Sequence, residues 1–172
     1  MSSETPAALA ADLFRGFGGS LYGTALRFLR RPEEAEDVVQ DAFLVYHRSV
    51  ERDGLRLAQP DAVAWVRRVV INRCLDRLRH GKRWQMSEID DSLGLAAMPR
   101  PAERVDLARA VATLPEEHRQ VFLLYDVEGF LHREISELLG IAEGTSKAYL
   151  SRAREALREF LTGAGAGAGG VR

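Results

Sequence analysis

Residues 132–150 read HREISELLGIAEGTSKAYL, and the way this stretch folds decides the architecture of the C-terminal half. It lays out a short helix, a glycine stop at Gly140, an apolar residue, Ile141, in the turn, and a second helix. Glycine lacks the Cβ that penalises left-handed backbone, so Gly140 lets the chain turn sharply, and Ile141 can plug the angle between the helices. That is the layout of a helix-turn-helix of the kind that enters a DNA groove. An αα-hairpin whose last helix carries a solvated charged face has the same local pattern, so a second line of evidence has to separate the two.

At about 100° per residue, Leu150, Ala153, Leu157 and Leu161 gather on one side of the second helix, with Ala148, Ser151, Arg152 and Glu155 opposite. The opposite side is the one a groove would meet. Lys147, Arg154 and Arg158 flank it within reach of phosphates, and Arg152 is best placed for a bidentate contact to guanine.

Outward from this motif, proline and glycine divide the chain into helical blocks, and no stretch alternates β-branched residues as a half-buried strand would. The expected fold is all-α, with two small helical domains joined by a flexible linker. The C-terminal domain, 105–162, is expected to hold helices at about 105–113, 115–127, 131–139 and 145–161. The Gly/Ala-rich end, 163–172, reads as a disordered tail. Residues 86–104 carry Pro99, Pro101 and several acids with little helical pattern, and read as an acidic linker. The N-terminal domain, 1–85, is expected to hold four helices, at about 7–17, 20–30, 32–47 and 60–83, with a loop over 48–59. Pro32 followed by Glu33 and Glu34 suits a first helical turn, where an N–H is dispensable and the dipole favours acids.

The last of these N-terminal helices supplies the second line of evidence. Between Trp65 and Arg83 stand Arg67, Arg68, Arg73, Arg77, Arg79, Lys82 and Arg83 against the single acid Asp76, a density that attracts a phosphate backbone even in a neutral protein. Val63, Val66, Val70, Ile71, Cys74 and Leu78 fall on one side of the helix, and Trp65, Arg68, Val69, Asn72, Asp76 and Arg79 on the other. An indole, an amide and guanidiniums on one face can grip a backbone and stack on or hydrogen-bond an unpaired base. The plainer alternative packs Trp65 under a neighbouring helix and leaves the arginines solvated.

The chain as a whole gives no such hint. It has 172 residues, 24 Lys and Arg against 25 Asp and Glu, a formal net charge of -1 and 46% hydrophobic residues, so it is foldable but lacks the uniformly basic surface usual for nucleic-acid binders. No apolar run reaches the roughly 18 residues of a membrane span and no signal peptide is visible, so a cytoplasmic protein without membrane insertion is expected. Cys74 is a lone thiol, expected to be a small buried apolar residue. The histidines His47, His80, His118 and His132 make no metal-ligand or catalytic spacing with the carboxylates, so no enzyme activity, catalytic residue, metal or cofactor is expected.

With these motifs in place, the chain resembles the sigma-70 family of bacterial RNA polymerase initiation factors, specifically the small group IV or extracytoplasmic-function (ECF) class. The resemblance spans roughly residues 9 to 161. Residues 35–43, AEDVVQDAF, look like region 2.2; residues 64–79, AWVRRVVINRCLDRLR, look like regions 2.3 and 2.4; residues 114–122, LPEEHRQVF, followed by Glu128-Gly129 and the helix-turn-helix, look like region 4.

The resemblance implies a promoter-specificity factor that binds core polymerase and directs initiation. Region 2.2 implies docking on the polymerase β′ clamp through Asp37, Gln40, Asp41 and Leu44, which suits a helix that turns Val38, Ala42 and Val45 inward and polar groups outward. Regions 2.3 and 2.4 imply that Trp65, Arg68, Asn72, Arg73, Asp76, Arg79 and Arg83 recognise and melt the minus-10 element. Region 4 implies that Thr145, Lys147, Ala148, Ser151, Arg152 and Arg154 read the minus-35 duplex, with the polymerase β flap as a further partner. An anti-sigma factor is a partner common in the family. Ser146 stands where the family commonly has Val, Ala148 where Ser is common, and Leu131-His132 where Ser-Tyr is usual, so the minus-35 sequence is this chain's own. The competing reading is a conventional helix-turn-helix regulator acting without replacing the primary sigma factor, which would leave the Trp65 to Arg83 face without a purpose.

Overall fold

The computed structural model describes residues 5–84 and 102–167, with side chains described over 5–81 and 107–163. Among the described residues every regular element is helical, and the chain divides into two compact units between residues 95 and 96.

The first unit has three helices where four are expected: α1 (Pro6–Leu29), α2 (Pro32–Arg52) and α3 (Gln59–Trp84), each packed on the other two. Thr5 caps α1, its Oγ1 accepting the Ala8 N–H at 3.3 Å, with Pro6 in the first turn. The expected break at residues 17–20 does not occur. Gly16, Gly18, Gly19 and Gly23 each weaken a helix by about 1 kcal/mol relative to alanine. Burial of Leu13, Leu21, Ala25, Phe28 and Leu29 in one stripe against α2 and α3 outweighs that loss and carries the helix through. Gly18 also makes room, since a Cβ there would come within 3.3 Å of the Phe14 ring, which stands edge-on to Phe43 of α2 with centroids 5.0 Å apart.

Helix α1 ends where Arg30 takes left-handed backbone (φ 62°) and Arg31, the residue before Pro32, is extended. Helix α2 opens on Pro32, Glu33 and Glu34 as expected, but runs past His47 to Arg52 because Tyr46 and Val50 continue its buried side. The expected loop over 48–59 shortens to 53–58. Helix α3 buries Val66, Val70, Ile71, Cys74 and Leu75, so the lone thiol is a core residue.

The second unit comprises α4 (Ala102–Thr113), α5 (Glu116–Phe122), a π-helical turn (Leu123–Val127), α6 (His132–Leu139) and α7 (Glu143–Gly167). Helix α7 is the hub on which α4, α5 and α6 pack, around Ala110, Leu114, Val121, Ile135, Leu150, Ala153 and Leu157. Arg119 is buried and kept in company by Glu116 at 2.6 Å. The single helix expected over 115–127 changes register after Phe122. There the Glu128 N–H donates to the Leu123 carbonyl and the Phe130 N–H to that of Leu124, both at 2.9 Å, and Gly129 (φ 78°) lets the chain leave.

The expected linker over 86–104 lies outside the described residues except at 102–104, where α4 has already begun. At the other end α7 continues to Gly167, beyond the expected stop at Leu161 and into the expected tail. Extending a formed helix adds one hydrogen bond per residue fixed, and the alternating alanines favour it. Residues 168–172 lie outside the described residues. The apolar side of α7 closes at Leu157, and Leu161, placed on that side by periodicity, is 39% exposed.

Candidate nucleic-acid interface

Helix α6 stops at Gly140, whose backbone is left-handed (φ 68°, ψ 35°). The Gly140 and Ile141 N–H groups both donate to the Ser136 carbonyl, at 2.9 and 3.2 Å, which satisfies the helix end while the chain turns. At its start, Glu134 accepts the Leu131 N–H at 2.9 Å, half of a capping box. Helix α7 then keeps Ser146, Leu150, Ala153 and Leu157 buried and Lys147, Ala148, Ser151, Arg152, Arg154 and Glu155 exposed, with Thr145 half-buried at its first turn. The face expected to meet a groove is therefore open.

A cluster that the sequence reading missed sits beside this face. His132 Nδ1 lies 2.8 Å from Ser146 Oγ, and the imidazole stacks on Tyr125 with centroids 4.4 Å apart. Burial, and after it the charge of Lys147, holds His132 below the ordinary histidine range, against an opposing pull from Glu143. Arg154 forks onto Asp126, Nε to Oδ2 at 2.9 Å and Nη2 to Oδ1 at 2.5 Å, with its guanidinium carbon 5.7 Å from the Tyr125 ring centre. Those hydrogen bonds raise the Arg154 pKa above its ordinary value. Tyr125, His132, Lys147, Ser151, Arg154 and Arg158 line a polar cleft of about 490 Å³. The π-helical turn presents both Tyr125 and Asp126, and no helical spacing in the sequence signals the cluster.

In the first unit, Arg68, Asn72, Arg73, Asp76 and Arg79 of α3 are all exposed, and Val69 is half-buried beside them. Trp65 is half-buried with Tyr46 against it, ring centres 5.9 Å apart, so it packs under a neighbour and also reaches the surface. Asp76 accepts from Arg79 at 2.8 Å, and its backbone carbonyl lies 2.7 Å from His80 Nδ1. The Arg83 side chain lies outside the described residues.

On α2, Asp37, Gln40, Asp41 and Leu44 form an exposed stripe, with Leu44 53% exposed, while Val38 and Ala42 are buried and Val45 is half-buried. Gln40 donates to Glu36 at 3.2 Å. Arg77 of α3 reaches Asp37 at 3.6 Å and the Glu34 carbonyl at 3.5 Å, tying the stripe to the basic helix. Among the described residues no group of three or more His, Cys, Asp and Glu is disposed to hold a metal ion, and no helix is long and apolar enough to cross a membrane.

A helix-turn-helix in one helical unit and an exposed basic face with an indole in the other define a DNA-reading protein of two modules. The model of sigma-70 region 2 matches residues 13–84, and that of sigma-70, region 4 matches residues 104–157. The chain belongs to the sigma-70 family as an ECF RNA polymerase sigma factor, a non-catalytic polymerase subunit that directs promoter recognition. It is 34% identical over 153 residues to the ECF RNA polymerase sigma factor SigM of Mycobacterium tuberculosis, covering 87% of this chain and 76% of that one. It is 31% identical over 176 residues to the ECF RNA polymerase sigma factor SigF of Caulobacter vibrioides, covering 92% and 97%. Among solved structures, CnrH in complex with the cytosolic domain of CnrY is similar at TM-score 0.51 and 25% identity, over 90% of this chain and 88% of that one. The sigma factor RpoE of Bartonella quintana, solved with the anti-sigma factor NepR, shares the fold at TM-score 0.56 and 22% identity, over 87% and 94%. Membership of this family decides against the separate regulator.

Proposed function

We propose that this chain docks on core polymerase through Asp37, Gln40, Asp41 and Leu44 of α2, opens and reads the minus-10 element with the exposed face of α3, and reads the minus-35 duplex with the exposed side of α7. The observation that carries the reading is the α3 face. Trp65, Arg68, Asn72, Asp76 and Arg79 lie together at the surface with Arg73 beside them, while the other side of the same helix is buried. A half-covered indole is a platform for an unstacked base, an exposed amide can bond its edge, and the guanidiniums hold the backbone. Asp76 orients Arg79 for that task.

On α7, Ala148, Ser151 and Arg152 face the groove, while Thr145, Lys147 and Arg154 hold phosphates beside it. The two modules correspond to residues 1–85 and 105–162, joined by the acidic linker 86–104. The β′ clamp receives α2 and the β flap receives the second unit. An anti-sigma factor is a further partner, in line with NepR on RpoE of Bartonella quintana, and the chain acts in the cytoplasm, where polymerase works.

Abortive RNA synthesis on a promoter selected by this holoenzyme, paired or premelted at minus-10, tests the assignment. Extruding a base costs a few kcal/mol, so Asn72→Ala should lose activity on the paired template and regain part of it on the premelted one. Arg152→Ala should show the same defect on both. Equal loss for Asn72→Ala on both templates, with normal permanganate reactivity of the minus-10 thymines, would place Asn72 outside the opening step.

A further inference from the structure

We infer that Asp126 is a positioning residue for the duplex contact of the second unit: its carboxylate sets the Arg154 guanidinium with its outer donors turned to one backbone phosphate, and cancels the charge that would otherwise draw α7 to any DNA. The inference rests on the proposal that the exposed side of α7 meets the minus-35 duplex. Asp126 and Arg154 stand 28 residues apart on different elements, yet meet through two hydrogen bonds at 2.9 and 2.5 Å. A forked pair of this kind fixes orientation as well as proximity. The Tyr125 ring lies under the fork, His132 stacks on that ring, and Ser146 holds His132. The chain of neighbours therefore runs from the first turn of α7 through two other elements and back to α7 at Arg154.

The donor inventory leaves work for the guanidinium to do. Of its five N–H groups, Nε–H and one Nη2–H are engaged by Asp126, and the Nη1 pair points away from the carboxylate. The Arg154 side chain stays 49% exposed against 24% for Asp126, which leaves it open to a third group from the cleft that Lys147, Glu155 and Arg158 also line. Loose attraction to DNA scales with net positive charge, which this pair nearly lacks. A hydrogen bond from a fixed donor survives that cancellation but forms only in the correct register. Asp126 thereby lowers general affinity and raises discrimination.

The test measures binding of the reconstituted holoenzyme to a promoter fragment it selects, and to the same fragment with a scrambled minus-35 element, by fluorescence anisotropy across a KCl series. Asp126→Asn should bind the scrambled fragment more tightly, with a salt slope steeper by about 0.9 for the charge released. Its preference for the selected fragment should fall by up to about five-fold, the range open to an exposed charge pair. Arg154→Lys keeps the charge and loses the fork, so it should lose preference without changing slope, and adding Asp126→Asn should lower preference no further. Unchanged preference in Asp126→Asn, or equal weakening on both fragments with a lowered Tm, overturns the inference. If Arg154→Ala weakens binding while Asp126→Asn alters neither preference nor slope, the groove reading stands and the inference alone falls. If Arg154→Ala changes neither fragment, Arg154 lies off the DNA and the inference falls with the phosphate role given to Arg154, while Arg152→Ala on the same two fragments decides the groove reading separately.

Discussion

His132 and Ser146 meet across the helix-turn-helix, Nδ1 to Oγ at 2.8 Å, although 14 residues separate them in the chain. The bond ties the start of α6 to the first turn of α7. Because Ser146 is fully buried, removing His132 leaves a hydroxyl without its partner, at a cost of about 1–3 kcal/mol.

The burial of the His132 ring makes the second unit sensitive to pH. Burial, followed by Lys147, holds His132 below its ordinary value of 6.5, so the unfolded chain takes up this proton more readily than the folded one. Stability then rises with pH across the interval between the two values. It is expected to fall as pH drops through 6.5 towards the lower folded pKa, and to show no His132 contribution above 6.5. Thermal unfolding of the wild type and of His132→Gln between about pH 5 and 8 checks the sign. The variant should show the flatter profile, and identical profiles would rule His132 out as the titrating group.

Docking on polymerase should depend on the α2 stripe. Asp37→Ala with Gln40→Ala is expected to weaken co-purification with core polymerase while leaving circular dichroism unchanged. Both side chains are exposed, and the ion pair between Asp37 and Arg77 is a surface one, worth about 1 kcal/mol at most. Wild-type recovery of core polymerase by the double variant would reject this surface.

The exposed side of α7 separates reading from holding. Arg152→Ala should relax preference at a single minus-35 base pair by about 1–3 kcal/mol, whereas Lys147→Ala should weaken every sequence alike. Arg152 is exposed, so its loss should move stability by no more than about 0.5 kcal/mol. Transcription from a panel of minus-35 variants decides it, and wild-type ranking and strength for Arg152→Ala would remove this residue from the groove.

Two glycines close to one another should respond in opposite directions. Gly140 sits at φ 68°, so Gly140→Ala should lose about 1–2 kcal/mol to left-handed strain. Gly144 lies in α7 with open space where a Cβ would project, so Gly144→Ala should gain about 0.5–1 kcal/mol. Urea titrations monitored by circular dichroism compare the two.

What the sequence made legible depends on how local each signal is. Gly140 announces its turn because one residue type meets one backbone need, and the buried side of α3 is written in its spacing. Gly16 to Gly19 mislead for the converse reason: packing of α1 on α2 and α3 overrides a local weakness. Periodicity put Leu161 on the correct side of α7 but carries no information on how far neighbouring helices reach. The π-helical turn leaves no mark in the apolar pattern of 115–127. The Asp126 to Arg154 pair joins residues 28 apart, beyond any helical repeat. The exposure of residues on single helix faces was therefore readable, and the contacts assembled between elements were not.

The π-helical turn at Leu123–Val127 also makes chain length a carrier of information. It holds one residue more than an α-turn would, so the aim of Tyr125 and Asp126 is set by how many residues separate Phe122 from Gly129 as much as by their identities. Deleting Leu123 or Leu124 should close the turn into ordinary α-helix and rotate Tyr125 and Asp126 by up to about 100° around the axis relative to the residues before them. The carboxylate would part from Arg154 and the ring from His132, though neither partner had changed.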